Sequence, residues 1–550
     1  MSSEDPRILL AEAFSRNAAG DARGAADLAR RALAAAPDAP PVLGAAAMLL
    51  AAAEPLEALD LARRLADREP ANPGAYALLA KIHADLPRDV EGIATFQGFA
   101  RRDLPGDARR AVLAALAALT NRAGDAAGAL AILDTLGPTA DREIEYSRLL
   151  YTLYARDMTD ADVMALKRRY DARDPAMPVA RAAARNRIPR IGFLGSNLGT
   201  INYMALLAPL LTAFDRAAFE IELIALTPIQ GAMAEFYRAL DLNVVLATDP
   251  ARAAETVAAR GIDLLIEMDD ILAAAGRPAL RRRPARAHAS WFNMTGPAAD
   301  PAYDASIGNA ALYPDATAAL YAETRICLPA DAFVYDPEFA SLRPPAPSPA
   351  PCERNGYVTF GSLAQMYKIG ALCLDLWAAA LRAAPAARFH LANAAMEEPA
   401  ASSRFVAAMG ARGIDPARIT TGVEKNWPSY LRGYAKIDLA FATFPIPGGT
   451  TMFEAAWQGV PTLACRGGHA LTRIGDWLAA ATDAPWTACA DAGAFAARAA
   501  ELAADPSRLI AARREWRDRL RAKSRTDTPR VARAMEDAFR AILAVKGESA

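Results

Sequence analysis

Two short stretches of the chain carry side chains that could do chemistry together. Ala364 to Gly370 reads AQMYKIG and offers the Lys368 ammonium with the Gln365 amide three residues earlier. Phe444 to Leu463 reads FPIPGGTTMFEAAWQGVPTL; its prolines with Gly448 and Gly449 can bend tightly and expose backbone amides, and Thr450 and Thr451 then open a helix. A helix N-terminus with free amides and two hydroxyls is a clamp for a diphosphate. Glu454, one turn further in, is placed to accept hydrogen bonds from ribose hydroxyls. Taken singly, the second stretch is also an ordinary capped turn and the first a solvated lysine at a strand end. In one domain they amount to an anion site with its counter-charge.

The elements that must position these residues follow from the hydrophobic pattern. RIGFLGS (Arg190–Ser196), FEIELIAL (Phe219–Leu226), LNVVLA (Leu242–Ala247), IDLLIEM (Ile262–Met268) and ARAHASWF (Ala285–Phe292) are short apolar runs separated by helical stretches. A second series comprises YVTFGS (Tyr357–Ser362), RFHLAN (Arg388–Asn393), IDLAFAT (Ile437–Thr443) and TLAC (Thr462–Cys465). Such alternation predicts parallel sheets with crossover helices, hence an α/β class with two Rossmann-like doubly wound domains. Five prolines within Ser341 to Gly356 predict a stiff extended connector between the domains. Ligands of such sheets bind beyond the carboxyl ends of the strands, which puts a cleft between the two domains. A last helix, about Thr528 to Val545, is a candidate to pack back across it.

The first 155 residues read differently. DLARR at Asp27–Arg31 returns at Asp60–Arg64, and Pro37, Pro70, Pro105 and Pro138 step by 33, 35 and 33 residues. That period, with small residues in the helices and a proline after each second helix, predicts an all-α arm of tetratricopeptide-like helix pairs. The expected division is therefore repeats over 1–155, a helical connector over 156–187, a first Rossmann-like domain over 188–340, the proline-rich linker over 341–356 and a second Rossmann-like domain with C-terminal helices over 357–550.

Composition bounds the partners. At 550 residues the chain exceeds one hydrophobic core. A net charge of −1 supplies no field for nucleic acid or a membrane surface, so a charged ligand must be held by a local site. MSSEDPRILLAEAF lacks the basic-then-apolar order of a signal peptide, and no apolar run reaches about 18 residues, so no membrane span is expected. The five cysteines form no CxxC pair, which argues against a disulfide framework or zinc knuckle and places the chain in a reducing cytoplasm.

Helical repeats followed by two such domains, with QMYK, then PGGTTMFEAAWQGVP and a downstream Arg473, resemble the protein O-GlcNAc transferases of glycosyltransferase family 41, including relatives that modify bacterial adhesins and flagellin. The likeness covers roughly residues 185 to 480. It implies a two-domain GT-B fold and a metal-independent enzyme that moves a sugar from a UDP-GlcNAc or UDP-hexose donor to a side chain, Ser or Thr, of a protein recruited by the repeats. It implies that Lys368 binds the donor diphosphate and supports its departure, that Gln365, Thr450, Thr451 and Arg473 contact the donor, and that Glu454 binds ribose. No cofactor besides the nucleotide sugar is expected.

The departures concern histidines. Ile201 stands about where O-GlcNAc-type members have a histidine after the first strand, GGTT replaces GHTT, and Tyr430 falls near the position of a third, where an aromatic ring could stack on a base. Of the four histidines present, His83 lies in the arm, His288 and His390 sit in strand runs, and His469 follows a strand of the second domain as a donor-site candidate. Carboxylates at the cleft edge, Asp269, Asp270 and Asp300, are candidate proton acceptors. WFNMTGP, Trp291 to Pro297, offers Asn293 and Thr295 on the acceptor side. Two alternatives remain: an asparagine glucosyltransferase or flagellin-modifying enzyme, the latter with a CMP-nonulosonic acid donor, and an inactive repeat scaffold.

Overall fold

The computed structural model describes residues 5–173, 177–180, 188–339 and 342–545. By compactness the chain forms two units, Met1–Thr139 with Ala394–Phe405, and Ala140–Asn393 with Val406–Ala550.

The first unit contains four antiparallel helix pairs: α1 (Pro6–Ala18) with α2 (Ala22–Ala35), α3 (Pro40–Leu50) with α4 (Pro55–Arg68), α5 (Pro73–Ala84) with α6 (Asp89–Ala100), and α7 (Gly106–Arg122) with α8 (Ala126–Asp134). Of the periodic prolines, Pro37 and Pro70 lie two residues past the second helix of a pair, where a missing N–H and a fixed φ bar its continuation, while Pro105 and Pro138 lie further along the connections and Pro105 is the N-cap residue of α7. The core is built from alanines and leucines, with Tyr76, Phe96 and Phe99 at one crossing. Small residues are required there: a methyl group on Gly92 would come within 2.9 Å of Leu119 and 3.1 Å of His83.

A fifth pair, α9 (Arg142–Ala155) and α10 (Asp160–Asp171), belongs with the sheets, although the sequence assigns α9 to the repeats. The connector expected over 156–187 is helical through α10, and its residues 174–176 and 181–187 lie outside the described residues.

The second unit holds two all-parallel sheets. The first runs in the order β3-β2-β1-β4-β5-β6-β7 with β1 Arg190–Gly195, β2 Glu220–Ala225, β3 Asn243–Leu246, β4 Leu264–Glu267, β5 Ala287–Ser290, β6 Ala305–Asn309 and β7 Thr324–Leu328. The second runs β10-β9-β8-β11-β12-β13 with β8 Thr359–Ser362, β9 Arg388–Ala392, β10 Ile419–Gly422, β11 Leu439–Phe441, β12 Thr462–Cys465 and β13 Ala488–Cys489. Both are doubly wound, and their order reverses between β1 and β4 and between β8 and β11, the places where such sheets open a crevice.

The nine strands read from the sequence are present; β6, β7, β10 and β13 were not anticipated. ASIGN and ITTG are broken by polar residues and glycine, and β13 has two residues. The last helix is longer than its sequence suggested, a single 39-residue element from Ser507 to Val545 that runs through Pro529. Its N-terminal half packs Ala512, Trp516 and Leu520 beside Phe453 and Trp457, while its C-terminal half packs Val531, Met535 and Phe539 against β1 and β2 side chains. Burial on both sides of the proline offsets the lost backbone hydrogen bond. No described helix is long and apolar enough to cross a membrane.

Candidate functional site

A cavity of about 640 Å³ lies in the second unit. The turn after β8 and the turn after β11 both open onto it, so the two stretches singled out by their chemistry meet at the switch point of the second sheet.

Lys368 closes a single 3₁₀ turn, Met366–Lys368, that follows β8. Its ammonium stands 5.9 Å from the Tyr367 ring centre, and Tyr367 packs edge-on against Tyr154 of α9. No carboxylate pairs with Lys368 among the described residues. Across from it, the helix Gly449–Trp457 begins after the turn Pro445–Gly448. Gly448 occupies the N-cap position, so no side chain satisfies the first-turn N–H groups. The capped-turn alternative therefore lacks its cap, and the helix end keeps its partial positive charge for something else. The two stretches nearly touch: a methyl group built on Gly448 would lie 2.9 Å from Thr451 Oγ1 and 3.8 Å from Lys368 Nζ.

Glu454 sits one turn into the same helix, buried yet lining the cavity. Burial pushes its carboxyl up to about 7 against the opposing pull of hydrogen bonds from Trp427 and Tyr430. Trp427 Nε1 donates to Glu454 Oε1 at 2.9 Å. The Tyr430 hydroxyl pairs with that of Tyr434 at 3.1 Å, and Tyr434 donates to the Thr451 carbonyl at 3.0 Å. Gln365, Lys368, Tyr430, Gly448, Gly449, Thr450, Thr451, Glu454 and Asn293 thus share one cavity.

The remaining candidates do not join them. Asp270 is fully enclosed: it accepts from Lys167 Nζ at 2.8 Å and from Arg277 Nη1 at 2.9 Å, and Thr295 donates its hydroxyl to the same carboxylate. Burial raises its pKa, but Lys167 and Arg277 outweigh that and hold it below the usual carboxylate range. A positive φ of 46° turns the Asp270 backbone inward, fixed by Glu267 Oε1, which accepts the N–H groups of Asp269 and Asp270. Asp269 is also buried, accepting from Ser196 N at 2.9 Å and Ser196 Oγ at 2.6 Å across the β1/β4 switch point. Neither aspartate lines the cavity, and both hold the fold where the sequence reading made them proton acceptors. Asp300 is engaged by Arg281 at 2.7 Å. Arg473 pairs with Asp160 of α10 at 2.8 Å and donates to the Leu312 carbonyl at 2.9 Å, away from the cavity lining. His469 is buried off the cavity, and burial pulls its imidazole down to about 4.

Sequence reasoning missed much of the opposite wall. Asn197, Thr200, Asn202 and Tyr203 come from the turn after β1 and the helix it opens, Asn309 ends β6, and Trp291, Phe292 and Met294 come from the loop after β5. In that loop Phe292 and Met294 take left-handed backbones with φ of 79° and 48°, strain that is held only where surroundings over-determine it. Trp427 was missed as well: its signal was an aromatic at the first position of a helix capped by Asn426 and Ser429.

Two doubly wound sheets, with a cationic turn and an open helix end at the second switch point, have the form of the GT-B architecture, preceded in this chain by helical repeats. The chain has the fold of Thermobaculum terrenum O-GlcNAc transferase, solved as a lysine-to-methionine mutant, with a TM-score of 0.76 and 24% identity over 100% of both chains. It is also similar to probable UDP-N-acetylglucosamine–peptide N-acetylglucosaminyltransferases named SPINDLY: that of Oryza sativa at 25% identity over 53% of this chain and 31% of the rice protein, and that of Arabidopsis thaliana at 23% over 67% and 40%. The chain thus spans less than half the length of these curated relatives. No protein-family model matches it. The resemblance read from QMYK and PGGTTMFE is borne out by these likenesses.

Proposed function

We propose that the protein is a glycosyltransferase that moves a sugar from a nucleotide diphosphate donor, of UDP-GlcNAc or UDP-hexose type, to a Ser or Thr side chain of a protein acceptor. The observation that carries this reading is the unsatisfied pair at the second switch point: the uncapped N-terminus of the helix Gly449–Trp457 and the unpaired Lys368 ammonium, facing one cavity. Among the described residues no carboxylate pairs with Lys368 and no N-cap side chain bonds the helix end, and together they supply what a diphosphate needs. The activity for which the SPINDLY proteins are named, transfer of N-acetylglucosamine from its UDP donor to peptide, supports the same class of donor and acceptor.

In the reaction the acceptor hydroxyl oxygen forms a bond to the anomeric carbon as the bond from that carbon to the diphosphate breaks, the diphosphate leaves with the bonding electron pair, and the hydroxyl proton passes to water. Charge gathers on the departing diphosphate, where Lys368 and the helix N-terminus, fixed before reaction, stabilise it more than they stabilise the donor. Gln365, Thr450 and Thr451 supply further donors there, Glu454 takes the ribose, and the Asn293 loop with Asn197 and Asn202 faces the sugar or acceptor. The proposal needs no metal, since Lys368 and the helix end carry the counter-charge. The helical repeats, in this reading, recruit the acceptor, and five free thiols suit a reducing cytoplasm.

The test is transfer itself. Protein coexpressed with the wild-type chain gains the mass of a hexose or N-acetylhexosamine on Ser or Thr, and coexpression with Lys368→Ala leaves it unmodified. A mass gain that persists in the variant, or its absence with both, contradicts the proposal.

A further inference from the structure

Glu454 is an unusual choice for a side chain that must stay charged to hold a diol. It is buried, and among the described residues no cation pairs with it. The groups packed around it are the phenols of Tyr430 and Tyr434 and, from the segment before the linker, Tyr335. The other ionisable groups on the cavity nearby are Lys368, Glu424 and Lys425. The donors on the carboxylate are the indole of Trp427 at 2.9 Å and the Tyr430 hydroxyl, which is shared with Tyr434. That indole is itself held: Asn426 and Ser429 form a reciprocal cap on the helix Trp427–Gly433, at 3.0 and 3.3 Å, and the ring packs against Leu363, Leu431 and Ala455. One turn on, Tyr430 and Tyr434 tie the same helix to the Thr451 carbonyl. The short helix therefore braces the phosphate-facing helix at two points one turn apart.

Resting on the nucleotide-sugar reading of the cavity, we propose that Trp427 is a positioning residue for Glu454: its indole N–H holds Oε1, so that the remaining lone pairs of the carboxylate meet the vicinal diol of the nucleotide's ribose. A hydrogen bond from a neutral N–H to a carboxylate favours the charged acceptor. It fixes orientation without neutralising the group, as a lysine or arginine would. The arrangement ties ribose recognition to the ionisation of Glu454, so nucleotide binding strengthens as pH rises through about 7, where burial has placed that carboxyl.

The experiment compares ribose with deoxyribose on the full-length protein. Calorimetric titrations with UDP and 2′-deoxy-UDP, and with CMP and 2′-deoxy-CMP, are run from pH 5.5 to 8.5 on wild type, Trp427→Phe and Glu454→Gln. Phenylalanine keeps the ring packing and deletes only the N–H, and a thermal melt verifies the fold. Wild type should favour the ribonucleotide by roughly 10-fold at pH 8, the worth of a hydrogen bond to a charged group. Trp427→Phe should cut that preference to about 3-fold and move the pH midpoint of binding upward, because the removed donor was holding the carboxyl down. Glu454→Gln should lose the preference and, with it, the pH dependence of the ribo-to-deoxyribo ratio, since the ligands' own phosphate titration at about 6 is common to both nucleotides and cancels in that ratio. If Trp427→Phe weakens ribo- and deoxyribonucleotides equally and leaves the midpoint in place, the indole is a packing surface and the inference fails while the function stands. If wild type binds none of the nucleotides, the functional reading falls and this inference with it.

Discussion

Two clusters of charge in the second unit answer opposite questions. At the β1/β4 switch point, Glu267, Asp269 and Asp270 face Lys167 and Arg277, and Asp171 completes the set by accepting from Arg277. Each of these groups has partners inside the protein; Glu267 accepts from the Asp269 and Asp270 N–H groups and from the Tyr303 hydroxyl, and burial with the nearby Asp269 and Asp270 charges pushes it up to about 8. At the β8/β11 switch point the groups are fewer and open: a lysine without a carboxylate, a helix without a cap, a carboxylate without a cation. A closed network holds elements together; here it pins α10 to the first sheet. An open set of the same chemistry is complete only with a ligand. Acidity and position at a strand end made Asp269 and Asp270 look catalytic, and only their partners reveal otherwise.

The comparison can be broken at either side. The largest effect is expected in the closed network: Asp270→Ala strands Lys167 in the interior and leaves Arg277 with Asp171 alone, and should cost about 3–5 kcal/mol, read as a lower denaturant midpoint. A variant of unchanged stability would mean the cluster is not structural. Next comes Lys368→Ala, which should lower the rate of donor turnover about 100-fold while moving the melting temperature by no more than about 2 °C, since the ammonium has no internal partner to lose. Glu454→Gln should show the opposite sign in stability. A carboxyl held near 7 in the fold and near its ordinary value of 4.5 when unfolded stabilises in its protonated form below 4.5, and that contribution is lost as pH rises towards 7. The neutral glutamine removes the loss, so the variant should be more stable than wild type at pH 8 by on the order of 2 kcal/mol and equal to it below about pH 4. Equal melts at both pH values would show that Glu454 is not strained. The smallest effect belongs to Thr450→Val: roughly 3- to 10-fold weaker nucleotide binding by calorimetry and no stability change, because this hydroxyl caps nothing in the free protein.

The same distinction explains what was legible in the sequence. Apolar runs exposed nine strands, the edge strand β3 among them, and proline spacing exposed the repeats, because burial and the punctuation of helices leave local marks. Edge strands such as β10, ITTG, leave weaker ones. Lys368, Gln365, Thr450, Thr451 and Glu454 could be read because each cluster is contiguous and its backbone turn is built from glycine and proline. The cavity wall made by Asn197, Tyr203 and Asn309 could not, since it is assembled from segments far apart in the chain, and of the loop Trp291–Pro297, which was read, the pattern does not tell that Asn293 faces the cavity and Thr295 does not. Arg473 and Thr295 were misplaced for a related reason: their partners, Asp160 and Asp270, lie 313 and 25 residues away, and no local pattern announces such pairs. Nor does the sequence mark Trp427 as the partner of Glu454, 27 residues on.

The central claim is that the open charges at the second switch point bind a nucleotide's phosphate. Calorimetric titration of wild type and Lys368→Ala with UDP, UDP-GlcNAc, UDP-glucose and CMP tests it most directly. The account predicts saturable binding of at least one of the four by wild type and its loss, or weakening by about 100-fold, in the variant. Silence of wild type with all four, or equal affinity of the two proteins, would contradict it.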